Sequence, residues 1–141
     1  MNELGIIRKG ELDGALKKKY RLYLAGRLTL PQDELECIDD DIEIGISEYK
    51  AFTADAPHMH PIATEHGYVL SGCLRVRLLN ESHDEFEFSE GDFFVLKPGV
   101  PYATKNREGT RILFIKSPGG NDKTTVPIDS ETQSWLSEWD T

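Results

Sequence analysis

From Ile42 the chain alternates strictly, with Ile42, Ile44 and Ile46 on one face of an extended segment and Glu43, Gly45 and Ser47 on the other. A period of two is the signature of a strand with two unlike faces. It runs on through Tyr49-Lys50-Ala51-Phe52 and predicts a long strand. The same period recurs in Tyr20, Leu22 and Leu24, a segment that Pro31 ends, and in Leu74, Val76 and Leu78 set against Arg75 and Arg77. Tyr68-Val69-Leu70 followed by Ser71-Gly72 predicts a hairpin into that last strand. Further turns fall at Asn80 to Asp84, Ser89 to Asp92 and Arg107 to Gly109. Between them lie Glu85-Phe86-Glu87-Phe88, the extended piece Tyr102 to Lys105, and a last strand from Arg111 to Lys116. Phe93-Phe94-Val95-Leu96 has no polar face, which predicts a strand covered on both sides. About eight or more short strands with closely spaced turns predict a β-sandwich or barrel rather than βαβ units.

Helical pattern is confined to the ends. Gly10-Glu11-Leu12-Asp13-Gly14 suits a helical turn or loop. Near the C-terminus Ser130 with Gln133 fits a capping box, and Trp135, Leu136 and Trp139 lie at helical spacing, predicting a short helix that packs its Trp face on the barrel. At 141 residues one domain and one core are expected. The formal charge of −9, from 25 acidic against 16 basic residues, argues against nucleic acid and against an anionic membrane surface. The one basic cluster, Lys17-Lys18-Lys19 with Arg21, reads as a solvated face. No segment approaches the length that spans a bilayer, and the opening MNELGIIRKG lacks the apolar stretch of an export signal, so a cytoplasmic protein is expected. Cys37 and Cys73 then read as reduced thiols, Cys73 buried.

Chemistry concentrates in Ala56-Pro57-His58-Met59-His60-Pro61-Ile62-Ala63-Thr64-Glu65-His66-Gly67, which holds three of the four histidines. On a strand His58 and His60 project from the same face, about 7 Å apart at the backbone, so their imidazoles can converge on one ion. Glu65 follows a Pro-containing turn and can reach the same ion from a neighbouring strand. Imidazole plus carboxylate suits Fe, Mn, Zn, Ni or Cu without choosing among them. His66, adjacent to Glu65, faces the other side of the sheet and is expected to be a bystander. His83 lies in a turn and is expected to be solvated.

These residues resemble the cupin superfamily. Its first motif, G-x5-HxH-x3,4-E-x6-G, is matched in register by His58, His60, Glu65 and Gly72, with Phe52 where the opening Gly would stand. Its second, G-x5-P-x-G-x2-H-x3-N, is met by Gly91, Gly99 and Asn106, with Lys97 at the proline position and Tyr102 at the histidine position. The resemblance implies an all-β protein with a jelly-roll barrel (a double-stranded β-helix) and a metal held inside by His58, His60 and Glu65. It also implies pairing of the chain as a homodimer. On this reading residues 1–40 form an extension packing on the barrel, 41–118 the barrel, and 119–141 a tail with the short helix.

Tyr102 departs from the family pattern, and three roles stand open for it: weak ligand, hydrogen-bond donor to substrate, or core packing. A phenol, with an ordinary pKa of about 10, ligates as the anion only when strongly perturbed. Thr104 and Asn106 share its parity and are expected to line the same cavity. Arg75 and Arg77 are expected to point outward, whereas an arginine inside the barrel would point to an anionic substrate. The expected function is metal-dependent chemistry on a small polar molecule, either sugar-type isomerisation or epimerisation, or dioxygenase-like cleavage. The alternative is a non-catalytic ligand-binding or sensor protein with a vestigial metal site.

Overall fold

The computed structural model describes residues 5–30, 32–34, 37 and 41–141; Pro31, expected to end the first strand segment, lies outside the described residues. In chain order the elements are α1 (Lys9–Lys18), β1 (Arg21–Ala25), β2 (Glu43–Tyr49), β3 (Thr53–Ala54), β4 (His58–Met59), β5 (Thr64–Ser71) and β6 (Cys73–Leu78). They continue with β7 (Glu85–Ser89), β8 (Phe93–Leu96), β9 (Tyr102–Asn106), β10 (Thr110–Ser117), β11 (Thr124–Thr125) and α2 (Ser130–Trp135). Two antiparallel sheets face each other, one ordered β1-β2-β10-β5-β8 and the other β11-β4-β9-β6-β7, with β3 beside β9. This is the expected all-β jelly-roll barrel, with one more helix, α1, than expected. Among the described residues no helix is long and apolar enough to cross a membrane.

The faces of β2 are not divided as an ordinary core strand would be. Glu43, Gly45, Ser47 and Tyr49 point between the sheets, and the isoleucines point away from them. Ile46 is buried all the same, because Leu12, Ala15 and Leu16 of α1 form an i, i+3, i+4 stripe that docks over it, Leu22 and Leu113. That burial outweighs the cost of the two glycines inside α1 and extends a possible helical turn into a ten-residue helix. The main core lies between the sheets, where Tyr49, Val69, Leu74, Val76, Leu96, Tyr102 and Ile112 close one part of the barrel.

Several sequence expectations are corrected. The strand from Ile42 stops at Tyr49, and the chain bends before β3. Ser71-Gly72 does not close a hairpin: β5 and β6 belong to different sheets, and Gly72, at φ +81°, carries the chain around the corner between them. Phe93 to Leu96 is not covered on both sides, because β8 is a sheet edge with Phe93 and Val95 exposed and Phe94 and Leu96 turned inward. The polar face is missing simply because its outward positions are apolar. The cap of α2 is Asp129, whose carboxylate accepts from Thr132 N at 2.7 Å, and not Ser130. The helix ends at Trp135, so Trp139 sits in the turn beyond it.

Both Trp rings nevertheless pack on the barrel, against cations on its outer wall. Lys105 Nζ lies 4.4 Å from the Trp135 ring centre, and the Arg75 guanidinium 4.2 Å from that of Trp139. Lys105 also donates to the carbonyls of Trp135 and Glu138 at 2.8 and 2.9 Å. Arg75 and Arg77 point outward from the barrel, and Arg77 is buried beneath α2 against Glu131. Cys73 is buried, and both Cys37 and Cys73 are thiols. His83 is half-buried after its turn, at φ 50°.

Candidate metal centre

His58 on β4 pairs with Tyr102 on β9, and Glu65 lies near the start of β5 across the barrel. His60 follows β4 directly, and the Pro61 turn returns the chain to β5. The ligand-type atoms of His58, His60 and Glu65 lie within 4.8 Å of one another, a grouping able to hold a divalent metal ion. Both imidazoles are buried, and their rings stand edge to face with centres 5.1 Å apart.

The tautomers follow from the partners. Nδ1 of His58 lies 2.7 Å from the Ala56 carbonyl and Nδ1 of His60 lies 2.9 Å from Asp122 Oδ1, and an oxygen acceptor requires N–H on each. Each Nε2 therefore presents a lone pair to the common point, the orientation that ligating histidines adopt when their other nitrogen is anchored. Burial pushes His58 down to about 4, so it is neutral, the form that ligates, at pH 7. Asp122 also accepts from the Ile62 and Ala63 N–H groups at 2.9 and 2.8 Å. Burial works against its charge, but these two bonds and His60 hold its carboxyl below the usual aspartate range.

The Tyr102 hydroxyl sits among the three, donating to Glu65 Oε2 in a short hydrogen bond and lying 2.8 Å from His58 Nε2 and 3.4 Å from His60 Nε2. Burial, and then the charge of Glu65, raise its pKa well above that of an ordinary phenol. Three acceptor atoms thus converge on one proton. Two buried lone pairs lack a donor, a deficit of positive charge that a divalent cation would fill, so the residues fit the metal.

Beside this group lies a cavity of about 280 Å³, small for a ligand site. Thr104 and Asn106 line it, but their donors serve Asp55, at 3.0 and 3.4 Å, which also accepts from Tyr49 OH at 2.9 Å. Arg21, read from sequence as part of a solvated basic face, points into the same cavity and reaches Asp55 at 3.4 Å. Only the lysines of that run are exposed. His66 faces the outside of the sheet and stacks on Phe93 at 6.0 Å, away from the ligand group. Sequence reasoning misses Asp55, Asp122, Glu43 and Lys123, which carry no motif. Arg21 and Glu43 do have a signal: each sits opposite the apolar parity of its strand.

A two-sheet antiparallel barrel with a His-His-Glu cluster opening on a small cavity defines the class of this protein. The family model described as Cupin matches residues 53–141, and the chain belongs to the cupin family. Among solved structures it is similar in fold to KdgF from Halomonas sp., at 20% identity and TM-score 0.55, covering 72% of this chain and 82% of that one. A second likeness is an uncharacterized conserved protein with a double-stranded beta-helix domain from Klebsiella pneumoniae, at 17% identity and TM-score 0.61, covering 89% and 100%. A third is Bacillus subtilis oxalate decarboxylase, a protein with Mn(II) centers, at 21% identity and TM-score 0.52, covering 67% of this chain and 28% of that one. No sequence among curated proteins matches.

Proposed function

We propose that this cupin is a metal-dependent enzyme that holds a divalent transition metal through His58, His60 and Glu65 and transforms a small polar molecule in the adjoining cavity. The observation that carries this reading is the convergence of three acceptor atoms on one phenolic proton. When bound, the metal supplies Lewis acidity toward a carbonyl or hydroxyl oxygen. Ala56 and Asp122 keep the two imidazoles aimed, and the Phe94, Leu96 and Ile112 side chains limit water around the site. Tyr102 holds a proton at its hydroxyl, where burial favours the neutral form, and can pass it to or from a bound molecule. Such proton movement suits isomerisation or epimerisation of a sugar-type hydroxy compound better than dioxygenase-like cleavage.

A second reading has its own support. Because the Tyr102 hydroxyl already lies among the three acceptors, the barrel closes without an ion, as a binding or sensor protein with a vestigial site would. Elemental analysis of the purified protein beside His58→Ala and Tyr102→Phe separates the two. The enzyme reading expects near-stoichiometric metal in wild type, loss in His58→Ala, retention in Tyr102→Phe, and turnover on a panel of hydroxy-carbonyl compounds that Tyr102→Phe lowers by about a hundredfold. Absence of metal from wild type as well as His58→Ala would sink it. We further propose that the chain works in the cytoplasm, where Cys37 and Cys73 stay as thiols, and as a homodimer, a reading supported by the apolar outer surface around β8.

A further inference from the structure

The cations that face the cavity come from strand ends and flanking segments, not from the two motifs. Arg21 opens β1, Lys116 lies near the end of β10, and Lys123 follows in the loop before β11. Arg21 is held in place: Nε donates to Ser47 Oγ at 2.9 Å, Nη2 lies 3.3 Å from Tyr49 OH, and the guanidinium sits 5.3 and 5.8 Å from the Tyr20 and Phe114 ring centres. Its Nη1 has no hydrogen-bond partner among the described residues. Lys123 makes no hydrogen bond or ion pair among the described residues, yet it lines the same cavity as His58 and Glu65.

Counting charge shows what the cavity lacks. Arg21 is offset by Asp55, and Lys116 by the fully buried Glu43 at 2.9 Å. The third carboxylate, Glu65, belongs to the metal group. The fourth, Asp122, stands behind His60 at 2.9 Å. A divalent ion on two neutral imidazoles and Glu65 keeps one positive charge, which Asp122 offsets, and Lys123 then leaves one positive charge in excess, because Asp55 and Glu65 are already committed to Arg21 and the metal group. In a chain of net charge −9 this is a local reversal of sign. Partial burial and the cations of Arg21 and Lys116 hold Lys123 below the usual lysine range against the opposing pull of Asp55 and Glu65, a net repulsion that an anion would relieve.

We propose that the cavity takes a small carboxylate-bearing anion, gripped by the spare Nη1 of Arg21 and by Lys123 Nζ beside the metal centre. The inference deepens the proposed function and rests on it, because the excess positive charge is present only with the metal bound. The volume of about 280 Å³ restricts the anion to a compact molecule. Guanidinium and ammonium donors to a carboxylate form charge-assisted hydrogen bonds that an uncharged isostere cannot match.

Isothermal titration of the Mn(II)-loaded protein with lactate and with lactamide, its uncharged isostere, tests this directly, with metal content measured on each sample. Lactate is expected to bind about tenfold or more tightly than lactamide. Lys123→Met should lower lactate affinity by about tenfold while leaving lactamide binding and metal content unchanged. Equal binding of the two probes by fully loaded protein, or unchanged lactate affinity in Lys123→Met, overturns the anion site alone. Failure of the wild type to take up metal overturns the metal centre and this inference together, and the metal count identifies that cause.

Discussion

At the scale of single residues the site depends on side chains that would not touch a metal. Asp122 divides one carboxylate between His60 Nδ1 and the Ile62 and Ala63 N–H groups, so it sets both the ring and the turn that carries the chain into β5. Asp122→Ala frees the His60 ring to rotate and leaves two N–H groups without their acceptor. Metal affinity is therefore expected to fall about 10- to 100-fold, the usual effect of removing the group that anchors a ligating histidine. A competitive titration against a chelating dye measures this. Asp122→Asn, which keeps an acceptor oxygen, should lose less; equal loss in both variants would show that the charge, and not the orientation, matters. Asp55 plays a comparable part on the cavity wall, gathering Arg21, Tyr49, Thr104 and Asn106 onto one carboxylate.

At the scale of elements, the corner between β5 and β6 decides that the barrel has two sheets at all. A Cβ on Gly72 would lie 2.5 Å from Thr110 Cα, and the backbone there is in the left-handed region at φ +81°. The Thr110 hydroxyl fastens the corner through Cys73 N at 3.0 Å and Cys73 O at 2.8 Å. Gly72→Ala is expected to cost about 3 kcal/mol, from left-handed strain together with a backbone clash. Gly91→Ala is the control: φ is +87° but nothing lies within 4 Å, so about 1 kcal/mol is expected. Urea unfolding that gave the two variants the same midpoint would refute the packing part of this account. The corner also shows where sequence stops being informative. Strand positions and the spacing of His58, His60 and Glu65 are legible because period and motif are local. Whether Ser71-Gly72 ends in a hairpin or a change of sheet depends on β10 and β9, which arrive later in the chain. Likewise the alternation of β2 is plain, but its polar face turns inward only because α1 covers Ile46 on the other face and Glu43 pairs with Lys116 inside. Asp122, Asp55 and Lys123 are invisible for the same reason, since nothing local relates them to the histidines.

At the scale of the whole molecule, the barrel has two unlike sides. One sheet carries α2 and the Trp-cation contacts on its outside, and the other carries α1 over β1, β2 and Leu113 of β10. Beyond α1 the outer face continues onto β5 and β8 with Tyr68, Leu70, Phe93 and Val95 all exposed, Phe93 by 58%. Tyr68 and Phe93 are directly paired across the strands, so the four side chains form one surface, and β8 is a free sheet edge among the described residues. An apolar face beside an unpaired edge is a liability for a lone chain, and a second copy presenting the same face would cover both by two-fold symmetry. With −9 on each chain, charge opposes pairing elsewhere on the surface and favours it at this uncharged face. Light scattering on a sizing column is expected to give twice the 15.9 kDa chain mass for wild type at micromolar concentration. Phe93→Glu is expected to elute as a monomer, because the dimer would bury its charge against a copy of itself. Metal content should be the same in both, since Phe93 and Tyr68 point away from the face that carries Glu65, Gly67 and Val69. A wild-type protein that stays monomeric up to about millimolar concentration, where specific dimers of even modest affinity form, would refute the pairing.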